Sequence, residues 1–276
     1  MKIDAHQFFW KYERGQFKEK PQGQYDVLKN DHLPHDLLVS LVNNGFEESI
    51  AVQNSNSDHE TNFLLDLASE NDFIRGVVGW IDLANPHIGQ KINYYNQTRL
   101  VSFRESFAQK EDPYFAQHPE VIRGIELIRE YNLPIDIQCR ADQIPAMIDL
   151  IAQFPNQVFV FNDMGFIPKT VNSLESWKIL LSTLANYPNV NCKINGLFML
   201  KAIIGMDQDQ IDECLLWVLE HFGAERIIFG SDWPYSKVAY EYHDLIRTIE
   251  QVYESLSQDE INHVFGLTAE KVYYFY

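Results

Sequence analysis

The sequence predicts an α/β chain folded as a single (β/α)₈ TIM barrel spanning residues 1–276. Three observations predict it. Short apolar runs alternate with longer stretches of helical periodicity. About eight such runs occur, centred on Ile3, Ile50, Val77, Leu100, Ile135, Phe159, Asn191 and Ile228. A length of 276 residues also suits one barrel of about 250 residues, although a prior of about 150 residues per domain would by itself suggest two. A doubly wound open sheet is the alternative. No GxGxxG or GxxxxGK[ST] follows any run, so nucleotide binding gains no support.

Taken in order, the runs behave as strands buried on both faces of a parallel sheet, being continuously apolar rather than alternating. Val77-Val78-Gly79-Trp80-Ile81 precedes a polar stretch from Asn85 to Asn96. Val158-Phe159-Val160-Phe161 precedes a helical pattern near Ser173–Tyr187, and Ile227-Ile228-Phe229-Gly230 precedes one from Val238 to Ser255. Ser57-Asp58-His59-Glu60 reads as a capping box opening the second helix. Asp207 and Asp209 are placed to cap the helix of Ile211, Leu215, Leu216, Val218 and Leu219, with Gly223 as its stop. Between the first run and the first helix, Glu13–Asn30 is polar and contains glycine and proline. It reads as a long active-site loop rather than a domain boundary.

Composition narrows the function. Lysine plus arginine is 22 and aspartate plus glutamate 39, a net charge of −17. Such a chain is repelled by phosphate backbones and anionic lipid. Cys139, Cys192 and Cys214 are widely spaced with no CxxC, which argues against a disulfide framework or thiolate zinc site. The start, Met1-Lys2-Ile3-Asp4-Ala5-His6, does not read as a signal peptide, and no apolar run is long enough to span a bilayer. The expectation is a cytoplasmic protein that takes a small-molecule substrate, without nucleic-acid or membrane partners; a homo-oligomer is left open.

In a barrel, chemistry sits at the C-terminal ends of the strands. In order, those ends present His6, then Gln53 and Asn54, Trp80 and Asp82, Arg104 and Glu105, Gln138 and Arg140, Asn162 and Asp163, Lys193 and Asn195, and finally Asp232, Trp233 and Pro234. Any one of these residues could simply be a solvated loop group. Together they form a rim of polar and aromatic groups suited to a small polar ligand such as a sugar acid.

Two terminal motifs carry a resemblance. Ile3-Asp4-Ala5-His6-Gln7-Phe8-Phe9-Trp10 and Ile228-Phe229-Gly230-Ser231-Asp232-Trp233-Pro234 resemble the opening and closing blocks of the amidohydrolase-related family, in the branch of L-fuconolactonase and 2-pyrone-4,6-dicarboxylate lactonase. Gly76-Val77-Val78-Gly79-Trp80-Ile81-Asp82-Leu83 and Cys192-Lys193-Ile194-Asn195-Gly196-Leu197 are similar to internal blocks in the same order. The family's first strand normally ends in His-x-His and its sixth in Asp-His. Here Phe8 replaces the second histidine, and Asn162-Asp163 stands for Asp-His. The resemblance implies a barrel hydrolase. Of its usual histidine ligands only His6 remains, with Asp232 on the last strand; with Asp163 they could still form a three-ligand N/O/O set suited to zinc, manganese or magnesium. The expectation is therefore either no required cofactor or one weakly held divalent metal, zinc or manganese, since metal-free members exist in this branch.

Opening a lactone needs an activated water and a stabilised oxyanion. Asp232 is the expected base, on the strand end where the family places its proton-handling carboxylate. His6, Arg104 and Lys193 are the candidate electrophilic donors; Arg104 is alternatively a clamp for a substrate carboxylate. Asp232, His6 and Lys193 are thus the expected catalytic residues. Arg104, Gln53, Trp80, Gln138 and Trp233 are expected to bind substrate, with packing as the plainer role for the two tryptophans and an ion pair with Asp232 or Asp163 for Lys193.

The expected function is hydrolysis of a cyclic ester of a sugar acid or related small carboxylate. A lactone isomerase or decarboxylase on the same scaffold, or a degenerate barrel that only binds, are the alternatives. His59, His87, His118, His221 and His243 fall on helical segments and read as surface or capping groups. Gly230-Ser231-Asp232 lacks the closing glycine of a GxSxG elbow. The C-terminal Tyr273-Tyr274-Phe275-Tyr276 reads as docking the last helix on the barrel or on another subunit.

Overall fold

A computed structural model describes residues 1–14, 16–17, 23–166 and 171–273. Among them are eight strands: β1 (Ile3–Gln7), β2 (Glu48–Val52), β3 (Ile74–Trp80), β4 (Leu100–Ser106), β5 (Ile135–Gln138), β6 (Phe159–Phe161), β7 (Val190–Ile194) and β8 (Ile227–Phe229). They lie side by side in sequence order, every neighbouring pair parallel. The ring closes just beyond β8, where the Asp232 N–H donates to His6 O at 2.8 Å and the Phe8 N–H to Trp233 O at 2.8 Å. Gly230 permits that closure, because a Cβ there would lie 2.3 Å from His6 Cβ. The fold is the (β/α)₈ barrel expected from the sequence, and all eight expected strands are present.

The helices between strands are α1 (Pro34–Asn43), α2 (Asp58–Glu70), α3 (Ile88–Tyr95), α4 (Pro119–Arg129), α5 (Ile144–Gln153), α6 (Val171–Ala185) and α7 (Gln208–Phe222). After β8 come α8 (Tyr242–Val252), α9 (Gln258–Asn262) and α10 (Thr268–Tyr273). Ser57 Oγ accepts from the Glu60 N–H at 3.1 Å and so caps α2. The Glu60 carboxylate does not complete the box; it reaches back to the N–H groups of Asn54 and Ser55, both at 2.6 Å, and orders the loop after β2. Asp207 caps α7, and Gly223 ends it at φ 68°. The helix expected from Val238 to Ser255 is shorter, because Tyr235–Val238 forms its own tight turn and Glu241 becomes the helix cap.

Strand side chains divide by parity. Ile3, Ala5, Ile50, Val52, Val78, Val160 and Ile228 pack together in the interior, while Ala51, Val77, Phe159, Phe161, Ile227 and Phe229 pack with helix residues such as Leu64, Ile125, Leu150 and Val218. Tyr273, at the end of α10, is buried within the interior cluster. Its three successors, Tyr274–Tyr276, lie outside the described residues. The Glu13–Asn30 loop is described only in part; its 3₁₀ turn Gln24–Leu28 buries Tyr25 and Leu28. All three cysteines are buried and free, and burial pushes their thiols up. No described helix is long and apolar enough to cross a membrane.

Candidate active site

At the C-terminal ends of the strands lies a cavity of about 270 Å³. Its lining combines polar residues, His6, Asn54, Arg104, Gln109, Gln138, Asp163 and Asp232, with apolar and aromatic ones, Phe8, Tyr25, Leu28, Phe198, Met199, Ile203 and Tyr235. Phe198 and Tyr235 stack at 5.8 Å with their planes 13° apart, and Phe8 meets Tyr235 edge-on at 5.3 Å. A volume this size suits a small ring rather than a drug-sized ligand.

The carboxylates of Asp163 and Asp232 share one donor. Asn195 Nδ2 lies 2.5 Å from Asp163 Oδ1 and 2.9 Å from Asp232 Oδ1. The Gly196 N–H donates to Asp232 Oδ2, and Gln138 Nε2 to Asp163 Oδ2 at 3.2 Å. Gly196, at φ 87°, adopts the left-handed conformation that lets its N–H make that bond. Both aspartates are themselves left-handed, with φ of 54° and 55°. Burial first, then the charge of Asp163, holds Asp232 well above the usual carboxylate range; burial also raises Asp163. His6 Nε2 stands 3.7 Å from Asp232 Oδ1. Burial, with the charges of Lys193 and Arg104 added, drives the His6 pKa well below 6.5, so the ring is neutral at pH 7.

Arg104 is 3% exposed, and its partners are neutral. Its Nη2 donates to Gln53 O. With the Gln53 amide turned to satisfy its neighbours, Gln53 Oε1 accepts from Arg104 Nε at 3.1 Å and Gln53 Nε2 donates to Ser55 O at 2.9 Å. Arg104 forms no ion pair among the described residues, yet it lines the cavity. A buried guanidinium without a carboxylate is costly unless a ligand oxygen completes its shell.

Of the residues singled out from sequence, His6, Arg104, Gln138, Asp163 and Asp232 line the cavity. Gln53 is fully buried behind Arg104 and acts on it. Lys193 does not line the cavity. It is fully buried in the interior, 2.8 Å from Asp136 Oδ2, so its ion pair is with Asp136 rather than Asp163 or Asp232. Trp80 lies off the cavity with Lys91 Nζ 4.0 Å from its ring centre. Trp233, 2% exposed, packs against Phe9 and His32, so the packing role is the one its position fits. Asn54, named at the second strand's end, also lines the cavity, and Phe8 was named only as the residue in place of the second histidine; Gln109 and the rest of the apolar and aromatic lining were not singled out. They come from loops and turns, which carry no periodic signal.

The residues present do not fit a tightly held metal ion. Among the described residues no three of His, Cys, Asp and Glu converge in a ligand arrangement. Asn195 and Gly196 donate to the two Asp232 oxygens, and Asn195 and Gln138 to the two Asp163 oxygens, so both carboxylates are held by neutral protein donors. His6 Nδ1 is buried with no partner among the described residues, whereas a ligating histidine normally donates its second N–H to an acceptor that orients it. Phe8, in the place of the second histidine, meets His6 edge-on at 5.1 Å and offers no lone pair.

The amidohydrolase family profile matches residues 3–275. This chain belongs to the amidohydrolase family. It is similar to the L-fucono-1,5-lactonase of Burkholderia multivorans, at 30% identity over 99% of this chain and 96% of that protein. A solved amidohydrolase from Burkholderia multivorans with bound zinc superposes with a TM-score of 0.92, at 30% identity and 99% coverage of both chains. A 5-carboxyvanillate decarboxylase from Novosphingobium aromaticivorans, solved with manganese, shares the fold alone: TM-score 0.74 and 12% identity, over 99% of this chain and 96% of that one. Within the family, this member has one histidine at the first strand's end, and an asparagine amide joins its two aspartates.

Proposed function

We propose that this amidohydrolase is a lactonase that opens the cyclic ester of a small sugar acid. The observation that carries this reading is that Asp232 and Arg104 line one small cavity: a carboxylate beside a neutral histidine, and a guanidinium that has no anionic partner among the described residues. Asp232 takes a proton from water as the water adds to the ester carbonyl, while Arg104 donates to the carbonyl oxygen as it gains charge. Asp232 then returns the proton to the departing ring oxygen. The ester C–O bond breaks, and lactone plus water has become a hydroxy acid. Its raised pKa suits Asp232 to both halves of this exchange. Gln138 and Asn54 offer polar contacts to ring hydroxyls, and Phe8, Phe198 and Tyr235 offer a face for the ring's C–H groups.

No step is routed through a metal, because the donor set does not fit one. The relative's lactonase name and the shared architecture support the reaction class; L-fucono-1,5-lactone is the first substrate to try. The test is turnover of a panel of five- and six-membered sugar lactones by wild type and by Asp232→Asn. Hydrolysis by the wild type that falls about 10²–10⁴-fold in the variant is the expected result. Melting-temperature shifts with lactones but no turnover would instead identify a binding protein.

A further inference from the structure

The two terminal motifs contain two polar residues that the proposed reaction does not use, Asp4 and Ser231. Both are buried, at 0% and 1% exposure, and neither lines the cavity. No cation pairs with Asp4 among the described residues. Its carboxylate instead gathers four donors: the Ser231 N–H at 2.9 Å, Ser231 Oγ at 2.6 Å, the Tyr242 hydroxyl at 3.1 Å and the His6 N–H at 3.3 Å. Ser231 Oγ in turn accepts from the Trp233 N–H at 2.9 Å. The N–H between them, that of Asp232, donates to His6 O at 2.8 Å. Three successive backbone N–H groups are thus tied to β1, two of them through Asp4.

The residue in the middle of that turn is Asp232, at φ 55°. A side chain is uncommon in this region, and a residue stays there only when its surroundings over-determine it. Leaving a carboxylate buried without a cation is also unfavourable by itself. Both features are explained if they serve the same end.

We propose that Asp4 and Ser231 are positioning residues that lock the Asp232 carboxylate toward the cavity by clamping the backbone on either side of it. This rests on the lactonase reading for its kinetic consequence, not for its geometry. The hydroxyl of Ser231 is the hinge of the clamp, since it donates to Asp4 and accepts from Trp233 at once.

The test uses the full chain with Ser231→Ala, Asp4→Asn and the double variant, assayed on whichever lactone the wild type hydrolyses. Expected is a kcat about tenfold or more below wild type for Ser231→Ala, with KM within about threefold. The double variant is expected to be no slower than the slower single variant, because both break one clamp. A wild-type kcat in Ser231→Ala, or losses that multiply in the double variant, would overturn the proposal. A purely structural role would lower the melting temperature without this split between kcat and KM. If Ser231→Ala does not fold, Asp4→Asn carries the same comparison. If the wild type turns over no lactone, the lactonase reading fails separately. The crystal structure of either variant then decides: Asp232 leaving its left-handed conformation and the Asn195 amide supports the clamp, and an unchanged Asp232 overturns it.

Discussion

Asn195 and Asp163 hold each other twice. The Asp163 N–H donates to Asn195 Oδ1 at 2.7 Å, and Asn195 Nδ2 donates back to Asp163 Oδ1 at 2.5 Å. The same amide nitrogen reaches Asp232 Oδ1 at 2.9 Å. One neutral side chain thus fixes two buried carboxylates, of which the charge of Asp163 raises the proton affinity of Asp232, and the consequences are measurable.

The pH profile is the first. The base must be unprotonated, and the Asp232 pKa lies well above the ordinary value of about 3.9 because of burial and the Asp163 charge. Hydrolysis is therefore expected to rise with pH through an apparent pKa above the carboxylate range, belonging to the pair rather than to either residue. Asp163→Asn removes one charge and should move that limb to lower pH. Burial and the charges of Lys193 and Arg104 hold His6 well below 6.5, so no histidine limb near pH 6.5 is expected. An acidic limb that stays in place in Asp163→Asn would contradict the coupling.

Arg104 is the second. Removing a donor aimed at a developing oxyanion typically costs about 10²–10³-fold in kcat. Arg104→Met should show a loss of that order in steady-state kinetics, mostly in kcat. A rise in KM with kcat unchanged would assign Arg104 to ground-state binding, as expected of a clamp on a substrate carboxylate.

Lys193 is expected to behave differently. Its ammonium sits 2.8 Å from Asp136 Oδ2, and Asp136 also accepts from Ser102, Asn162 and Tyr273. Lys193→Met strands a buried carboxylate, a change that costs roughly 3–5 kcal/mol. A large fall in melting temperature is expected, with turnover per folded molecule within a few-fold of wild type. A loss of 100-fold or more in kcat at an unchanged melting temperature would return Lys193 to a catalytic role.

Metal dependence is tested by elemental analysis before and after chelation. With no convergent set of His, Cys, Asp and Glu ligands among the described residues, and with His6 Nδ1 lacking an orienting partner among them, well under one divalent ion per chain is expected, with activity unchanged by chelator. One tightly held zinc or manganese per chain would overturn that expectation.

Much of the scaffold was legible because its determinants are local. Strands buried on both faces are apolar throughout, so Val77-Val78 and Ile227-Ile228 announce themselves in a single chain. Helix ends were readable at Asp207 and Gly223 for the same reason, since a cap is a contact within a few residues. Position at a strand end was enough to bring His6, Arg104, Gln138, Asp163 and Asp232 to one cavity.

What only the tertiary structure decided is which way each end points and which groups meet across the barrel. Trp80 and Trp233 stand at strand ends as Arg104 does, yet they face Lys91 and the pair Phe9 and His32. Side-chain direction inverts with a shift of one residue, and β1 carries such an irregularity between Asp4 and Gln7. Lys193 meets Asp136 from 57 positions away, and Ser231 meets Asp4 from 227. Local sequence determined the elements through short-range packing and capping. Closure of the barrel determined the partners, because burial leaves a charged or polar group no alternative to the nearest donor or acceptor the fold supplies.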